Sequence, residues 1–407
     1  MSASADDRVI RAAVGALALA AFASGITQRS MDALLPRLAE DFGVSLGAVA
    51  GVITAFTIGY AAMQPFFGPI GDRHGKYLVI AWSCAACTLA ALLCALAPDL
   101  SWLLAGRVFA GAMGAATIPL AMAWIGDVIP YERRQPVLAQ FLVGQILGVA
   151  AGQLIGGVSA DHLGRRAPFL IAAVLFAVST ALLLRIRRRL PAAALGRQAR
   201  GASGGLRHVA GEYREILRLP WARVVLLSAG VEGAMVFGAF AFFAAHLHAT
   251  LGVSLTTAGV LVMPFGLGGL VFALGTRQLL GRLGELGLAR AGGALMLAAA
   301  CVIALAPGIV TAAAACFAMG LGFYMLHNTL QTNATQMAPE RRGAAVSAFA
   351  FSYFLGQSIG VSIAGWAVSR VGTATVIVVA ALGIAAIAAS FARRKRLSML
   401  QQPAAST

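Results

Sequence analysis

The chain of 407 residues is 59% hydrophobic and only 11% charged, and its mean hydropathy is +0.83. Polar residues are too few to cover a water-soluble globule of this size, so the composition excludes a soluble protein. A net charge of +16 would suggest a nucleic-acid partner in a soluble protein. Here the basic residues fall in loops on one side of a membrane, so no nucleic acid is expected.

Windows of about 20 apolar residues, the length that crosses a bilayer as a helix, predict twelve membrane spans. They cover residues 11–35, 46–67, 77–97, 101–126, 138–160, 167–186, 221–246, 256–276, 288–306, 309–333, 344–368 and 372–392. The sequence therefore predicts an all-α membrane protein, whose spans are numbered 1 to 12 in chain order. No small-residue cleavage site follows span 1, which favours a retained helix over a removed signal peptide.

Basic residues indicate the orientation, because loops that stay in the cytoplasm carry an excess of lysine and arginine. With the N-terminus in the cytoplasm, all but six of the 31 lysines and arginines fall on that side of the membrane. With an even number of spans, both termini are therefore predicted to be cytoplasmic.

The longest hydrophilic stretch separates the first six spans from the last six. We predict a first six-helix bundle at residues 1–186, a basic cytoplasmic linker at 187–220, and a second bundle with a cytoplasmic tail at 221–407. Within the linker, residues 209–219 are expected to lie as a helix in the membrane interface.

Three charged residues fall inside predicted spans near one membrane surface: Arg29 and Asp32 in span 1 and Arg107 in span 4. A charge in hydrocarbon is costly and usually functional. Arg29 and Asp32 share a helical face because they are three residues apart, and Asp32 and Arg107 lie roughly 6–9 Å beneath the surface. We therefore expect an Arg29–Asp32–Arg107 cluster, acting as a protonation switch or, alternatively, as a permanent ion pair between two helices.

Between spans 2 and 3 the chain reads Gly-Pro-Ile-Gly-Asp-Arg-His-Gly-Lys, residues 68–76. A polar, glycine-rich segment predicts a tight loop at a membrane surface. It resembles the signature loop of the major facilitator superfamily, G-x-x-x-D-R-x-G-[RK], at Gly68, Asp72, Arg73, Gly75 and Lys76. Residues 281–284, between spans 8 and 9, repeat part of the pattern without the aspartate, as two pseudo-symmetric bundles would require.

The resemblance implies two six-helix bundles that rock about a central site and give alternating access to it. Asp72 is expected to cap the N-terminus of span 11 and to hold Arg133 in the loop after span 4. These contacts would latch the bundles together at the cytoplasmic surface. Alternatively, the segment is only a structural turn, which explains its glycines but not its charges.

Two further motifs extend the resemblance. Residues 107–115 fit the superfamily element R-x-x-x-G-x-x-x-A, and residues 144–157 resemble the antiporter motif G-x-x-x-G-P-x-x-G-G, with Gln153 in place of proline. Without proline the helix need not kink, which weakens the antiporter interpretation, and helix packing alone explains the glycines. The chain most resembles the twelve-helix bacterial drug:H+ antiporters, in which an acidic residue at the position of Asp32 takes part in proton and substrate binding.

Glu232 lies near the middle of span 7 among small and apolar residues. No cation is near it in the sequence, so burial favours the protonated form of its carboxyl, as suits a group that takes up and releases protons. The midplane between the bundles is also where such folds bind substrate. Glu232 is therefore a candidate proton or substrate site, or alternatively a protonated group that bonds a neighbouring helix.

Span 10 ends in a polar run that begins at Tyr324. Tyr324, Asn328 and Gln331 share one helical face and are expected to face a central cavity, as substrate ligands or as part of the cytoplasmic gate. Three further residues are assigned to the lining of this cavity: Phe237, Phe240 and Gln357. The five cysteines fall within spans and are predicted to be reduced packing thiols, and no metal site is expected.

The sequence predicts a secondary active transporter that exports a small drug-like or sugar-like compound in exchange for protons. Proton-coupled uptake of a small metabolite and lipid transport are alternatives. An enzyme is not expected, because no nucleotide motif, metal cluster or nucleophile with a nearby base is found. The proton gradient is the expected energy source, with no cofactor. A monomer in a bacterial inner membrane is predicted, with the substrate and the lipid bilayer as its partners.

Overall fold

The structure is a computed structural model that describes residues 5–195 and 206–401, and this part of the chain is mostly helical and has no β-strand. Its α-helices are Ala5–Phe42, Leu46–Val49, Gly51–His74, Lys76–Ala95, Leu100–Gly114, Thr117–Val128, Tyr131–Val158, Ala167–Arg187, Leu206–Arg218, Pro220–Phe240, Phe243–Leu251, Leu255–Val262, Pro264–Leu305, Ile309–Gln336 and Arg342–Gln401. Shorter elements are a π-helical turn at Ser159–Leu163 and 3₁₀ helices at Ala192–Leu195 and Pro339–Arg341.

Ten apolar helical stretches in the described residues are long enough to cross a membrane. Two of them, Leu255–Leu305 and Pro339–Ser398, are 51 and 60 residues long, at least twice the length that one crossing needs. Each contains one residue with non-helical backbone angles, Gly284 in the first and Gly372 in the second. Each stretch therefore makes two crossings, and the predicted fold of twelve spans is confirmed.

The predicted loop at residues 68–76 is helical for most of its length. The helix Gly51–His74 runs through Asp72, and Gly75 alone breaks it, with a φ of 91°. Glycine adopts this positive φ without steric penalty. Charged side chains on the last helical turn can extend along the helix to reach water. A longer loop is therefore not needed to keep these charges in water. The prediction of a tight loop over residues 68–76 was therefore wrong for residues 68–74, which are helical.

The two halves of the chain break their helices at equivalent connections. Gly75, between spans 2 and 3, corresponds to Gly284 between spans 8 and 9, where φ is 62°. Gly164, between spans 5 and 6, and Gly372, between spans 11 and 12, have φ values of 81° and 79°. A glycine with a positive φ at matching connections is what an internal structural repeat produces, in agreement with the predicted pseudo-symmetric fold.

Buried apolar residues form one large cluster mainly within residues 13–195 and another mainly within 216–392. With twelve crossings, both described chain ends and the described parts of the linker lie at one end of the molecule, here called the linker face. A third cluster joins the two halves at the opposite face, with Leu34 packed in the same core as Phe242 and Val361.

The opposite face is closed by direct contacts between the halves. Gly47 of span 2 lies against Gly365 of span 11, and a side chain on Gly47 would overlap the Gly365 backbone. Asp161 accepts hydrogen bonds from the backbone N–H groups of Leu255 at 3.3 Å and Thr256 at 2.6 Å. A carboxylate at a helix N-terminus is favourable, so Asp161 fastens the first half to the start of span 8.

At the linker face, spans 2 and 11 remain in contact. Ser347 Oγ of span 11 donates a hydrogen bond to the Gln64 carbonyl at 3.0 Å. By contrast, polar side chains near the linker-face ends of spans 5 and 10 are exposed, including Gln135, Gln331 and Thr335. The two faces therefore differ, because the opposite face is sealed and the linker face presents polar surface.

The helix expected at residues 209–219 of the linker is present as Leu206–Arg218. It packs on protein as well as reaching the surface, since Ile216 is buried and the Tyr213 hydroxyl lies 3.0 Å from Ser347 Oγ. Burial raises the pKa of Tyr213 to about 12, so the phenol stays protonated at neutral pH and can keep this hydrogen bond.

Candidate functional site

Asp32 is held between spans 1 and 5 by one cation and one amide. Arg29 Nη1 lies 3.7 Å from Asp32 Oδ2, and Gln153 Nε2 donates a hydrogen bond to the same oxygen at 2.9 Å. All three residues are buried. In the sequence, Gln153 was notable only because it stands where the antiporter motif has proline. Its contact with Asp32 depends on the close approach of spans 1 and 5, which Gly148 and Gly156 permit because a side chain there would overlap the backbone of span 1.

Arg107 is buried but does not join this pair. Its Nε donates to the Val52 carbonyl at 3.1 Å and its Nη1 to the Thr27 carbonyl at 3.2 Å, and its guanidinium lies 4.4 Å from the centre of the Phe56 ring. Among the described residues, no hydrogen bond or ion pair links Arg107 to Asp32. Arg107 is thus within electrostatic range of Asp32 without contacting it, because its long side chain reaches backbone carbonyls of spans 1 and 2 instead.

We expect Arg107→Lys to lower the thermal stability of the protein. Lysine keeps the buried charge but cannot bond two separated carbonyls and stack on Phe56, and each charged hydrogen bond lost is worth about 1.5–3 kcal/mol. Thermal unfolding of the detergent-solubilised variant measures the effect, with the exposed Arg166→Lys as the matched control. Equal midpoints for the two variants would show that Arg107 is not a structural bridge.

Arg29 also connects the two halves of the protein. Its guanidinium carbon lies 3.9 Å from the centre of the Phe237 ring and 5.3 Å from that of Phe240, both on span 7. Both rings are buried, and Phe237 also contacts Phe323 of span 10 and Tyr353 of span 11 edge to face. A cation over desolvated aromatic rings is attracted to them, so Arg29 links Asp32 to the aromatic centre of the second half.

Glu232 is fully buried and is paired with a histidine of span 10. His327 Nδ1 and Glu232 Oε2 are 2.8 Å apart, and the His327 side chain is 17% exposed. The imidazole stacks on Phe323, with ring centres 5.0 Å apart, and lies beside Tyr353. In the sequence, His327 was one member of a polar run. The only signal for its pairing was that both residues carry titratable groups deep within spans.

The remaining predicted cavity residues lie on spans 10 and 11. Tyr324 and Asn328 are half-buried and Gln331 is exposed, so exposure of this face of span 10 rises towards the linker face. The Tyr324 and Tyr353 phenols are within electrostatic range of Arg29. Gln357 of span 11 is buried, and its backbone passes close to Gly233, next to Glu232.

Four buried oxygens of these residues have no hydrogen-bond partner in the described part of the chain. They are Asp32 Oδ1, Gln153 Oε1, Glu232 Oε1 and Gln357 Oε1. Buried polar atoms are normally hydrogen-bonded, and these atoms come from both halves of the protein. These oxygens can therefore take up protons or accept hydrogen bonds from hydroxyl and amino groups of a ligand.

Lys76 is the centre of the charged contacts at the turn between spans 2 and 3. Its Nζ lies 3.1 Å from Asp72 Oδ1 and 2.6 Å from Asp127 Oδ2, near the end of span 4. No hydrogen bond joins Asp72 to Arg133 or to the start of span 11 in the part of the chain that is described. The expected latch between the halves is thus not made in this conformation.

The other residues assigned to this turn differ in their surroundings. Arg73 and Arg133 are exposed, and a side chain added at Gly68 would meet no neighbour within 4 Å. Gly71 is the tightly packed glycine, because a side chain there would collide with Leu120 of span 4. Packing therefore explains Gly71 and backbone geometry explains Gly75, whereas neither explains Gly68.

The sequence profile of the Major Facilitator Superfamily matches residues 17–361. The uncharacterized MFS-type transporter YceJ of Bacillus subtilis is 26% identical over 359 residues, covering 85% of this chain and 86% of that protein. The multidrug resistance protein MdtG of Yersinia enterocolitica is 32% identical over 165 residues, covering 39% of this chain and 40% of that protein.

Two solved structures have the same overall architecture. The nucleoside transporter NupG superposes with a TM-score of 0.75 at 15% identity, covering 96% of this chain and 99% of the other. A bacterial homolog of the human lysosomal transporter Spinster, in an inward-facing and occupied conformation, gives a TM-score of 0.75 at 18% identity, covering 99% and 100% of the two chains. At these identities the likeness concerns the fold alone.

Proposed function

This chain belongs to the Major Facilitator Superfamily, and from that membership we propose that it is a proton-coupled exporter of small organic compounds. The observation that carries the proposal is the Glu232–His327 pair. Its carboxyl is fully buried, whereas its imidazole is partly exposed. A proton arriving at the imidazole can thus be shared with a group that water does not reach, as a coupling site requires.

Proton uptake would change the net charge at the centre of the protein. The Arg29–Asp32 pair has no net charge when both groups are ionised. One proton added to the neighbouring Glu232–His327 pair therefore changes the net charge of the four residues by one unit. A change of charge in a poorly solvated centre is a strong electrostatic signal. We infer that proton and substrate compete for this centre, as exchange between them demands.

The unpartnered oxygens and the aromatic rings support a particular kind of substrate. The atoms without partners are mainly acceptors, and Phe237, Phe323 and Tyr353 form an aromatic cluster beside the Glu232–His327 pair. A compound with an apolar body and hydroxyl or amino donors fits this combination. The partial similarity to MdtG, named a multidrug resistance protein, is consistent with such a substrate.

Proton-coupled uptake is the second candidate, because Gln153 replaces the proline of the antiporter motif. The helix Tyr131–Val158 runs through this position, and without a proline nothing in the backbone forces it to kink as the antiporter motif would. Gln153 instead donates to Asp32. A carboxylate bound in this way could serve either direction of transport.

We propose that the linker face is cytoplasmic, since most lysines and arginines cluster there, and that the protein acts as a monomer in a bacterial inner membrane. In this conformation access would come from the cytoplasmic side, because Asp161 and the Gly47–Gly365 contact seal the opposite face. No cofactor is required, as the proton gradient supplies the energy.

Purified protein in liposomes with a pH gradient of either sign tests the function. Uphill movement of amine-bearing or hydroxyl-bearing aromatic compounds against a proton flow supports export, and movement with the proton flow supports uptake. Equal rates with and without the gradient, across a panel of such compounds, would contradict proton coupling.

We expect Asp72→Asn to shift the protein towards the state open at the linker face. The proposed latch forms when Asp72 reaches the N-terminus of span 11, and loss of a charged hydrogen bond shifts a balanced equilibrium about tenfold or more. Cysteine labels at the linker-face ends of spans 5 and 8 should then react faster, and transport should slow. Asp127→Asn is the matched control because Asp127 also binds Lys76. Equal effects of the two variants would show that Asp72 acts only by binding Lys76 and not as a latch.

A further inference from the structure

A cavity of about 320 Å³ lies at the linker face of the first half, away from the central site. Its walls are the turn at Gly75 and the start of span 3, the end of span 6 at Arg187, and the first turn of the linker at Ala192 and Leu195. The cavity therefore borders both the turn between spans 2 and 3 and the start of the linker that connects the two halves.

Two polar groups of this cavity lack partners, and both can donate a hydrogen bond. Arg187 Nε is buried and forms no hydrogen bond, and neither does the hydroxyl of Tyr77, which is 1% exposed. His74 Nδ1 is engaged with the Ile70 carbonyl at 3.1 Å. Buried donors without acceptors are costly, so the cavity is suited to a ligand that carries several acceptor oxygens.

The described residues supply no anion to this cavity. None of its lining residues is acidic, and the nearby carboxylates Asp72 and Asp127 are engaged by Lys76. Residues 196–205, which continue the linker, include Arg197 and Arg200 but no aspartate or glutamate. An anion that pairs with Arg187 would therefore come from outside these parts of the chain.

The linker side of the cavity is fixed in place. Trp124 Nε1 donates to the Ala194 carbonyl at 2.8 Å, and the rings of Trp124 and Tyr77 have centres 5.0 Å apart. The Leu195 carbonyl approaches Gly75 so closely that a side chain at Gly75 would lie 3.2 Å from it. The cavity is thus bounded by packed side chains and a hydrogen bond.

We propose that this cavity binds a phosphate group, carried either by an anionic phospholipid of the adjoining leaflet or by a soluble phosphorylated compound. Arginine is the preferred partner of phosphate, because its planar group makes charge-assisted hydrogen bonds, and basic pockets between membrane helices bind anionic headgroups. A bound phosphate would tie the linker and the end of span 6 to the turn at Gly75. Its occupancy would therefore strengthen the attachment of the start of the linker to the first half during the rocking of the two halves.

The test compares Arg187→Gln with Arg188→Gln, which removes the same charge from an exposed neighbour. In the first arm, nanodiscs with phosphatidylglycerol or with phosphatidylcholine alone are analysed by native mass spectrometry for retained lipid. In the second arm, glycerol 3-phosphate and inorganic phosphate are titrated into protein in phosphatidylcholine nanodiscs, and the thermal midpoint is followed. Tyr77→Phe, which keeps the ring and removes the hydroxyl, is measured in both arms.

We expect binding to weaken about tenfold or more in Arg187→Gln and several-fold in Tyr77→Phe, and to stay at the parent level in Arg188→Gln. A loss confined to the lipid arm identifies a headgroup site, and a loss confined to the second arm identifies a soluble ligand. Absence of binding by the parent protein in both arms overturns the proposal. So does equal binding by Arg187→Gln and Arg188→Gln, or, if Arg187→Gln does not fold, parent-level binding by Tyr77→Phe.

Discussion

Replacing Glu232 by glutamine is expected to abolish accumulation of substrate against its gradient while leaving exchange across the membrane measurable. The amide has nearly the size of the carboxyl and can still hydrogen-bond His327, so the packing around span 7 is kept. It cannot take up or release a proton, so under the proposed coupling the energy of the proton gradient no longer drives the substrate. Proteoliposomes loaded with substrate measure exchange without a pH gradient, and the same vesicles with a gradient measure accumulation.

Two other variants make this result specific. Glu340→Gln is the matched control, because it makes the same chemical change at an exposed position of the linker face and should transport like the parent protein. Asp32→Asn tests the second buried carboxyl. If Asp32→Asn loses accumulation and Glu232→Gln keeps it, the coupling group is Asp32 and the Glu232–His327 pair is structural. If both keep it, proton coupling through these carboxyls is contradicted.

Replacing Gly47 by leucine is expected to stop transport in a protein that still folds. Spans 2 and 11 touch at Gly47 and Gly365 with no room for a side chain, and packed helices do not absorb such an overlap. The halves would have to separate at the opposite face, which excludes the conformation described here. The variant should therefore populate the state open at the opposite face.

Accessibility of cysteines introduced beside the contact, on spans 2 and 11, measures this shift. Labelling from the opposite face should rise strongly in Gly47→Leu and stay at the parent level in Gly15→Leu, where a side chain meets no neighbour within 4 Å. Retained transport with unchanged labelling in Gly47→Leu would show that the Gly47–Gly365 contact is not part of the cycle.

Each of these variants depends on contacts between spans that are distant in the sequence. Span positions and buried charges could be located beforehand, because crossing a bilayer requires about 20 apolar residues and a charge within such a run is conspicuous. Arg29, Asp32 and Glu232 were found in this way. The partners of Asp32 and Glu232 were not, because Gln153 and His327 are 121 and 95 residues away from them.

The sequence by itself determined the twelve spans, the repeated connections and the identity of the titratable groups placed in hydrocarbon. Local chemistry decides these features, since apolar length selects a membrane helix and glycine adopts without steric penalty the positive φ found at Gly75 and Gly284. Only the tertiary structure decided which polar groups meet. A helix completes one turn in about 3.6 residues, so a small difference in its rotation moves a side chain from one neighbour to another. For this reason Arg107, at the expected depth, bonds the carbonyls of Thr27 and Val52 and not Asp32.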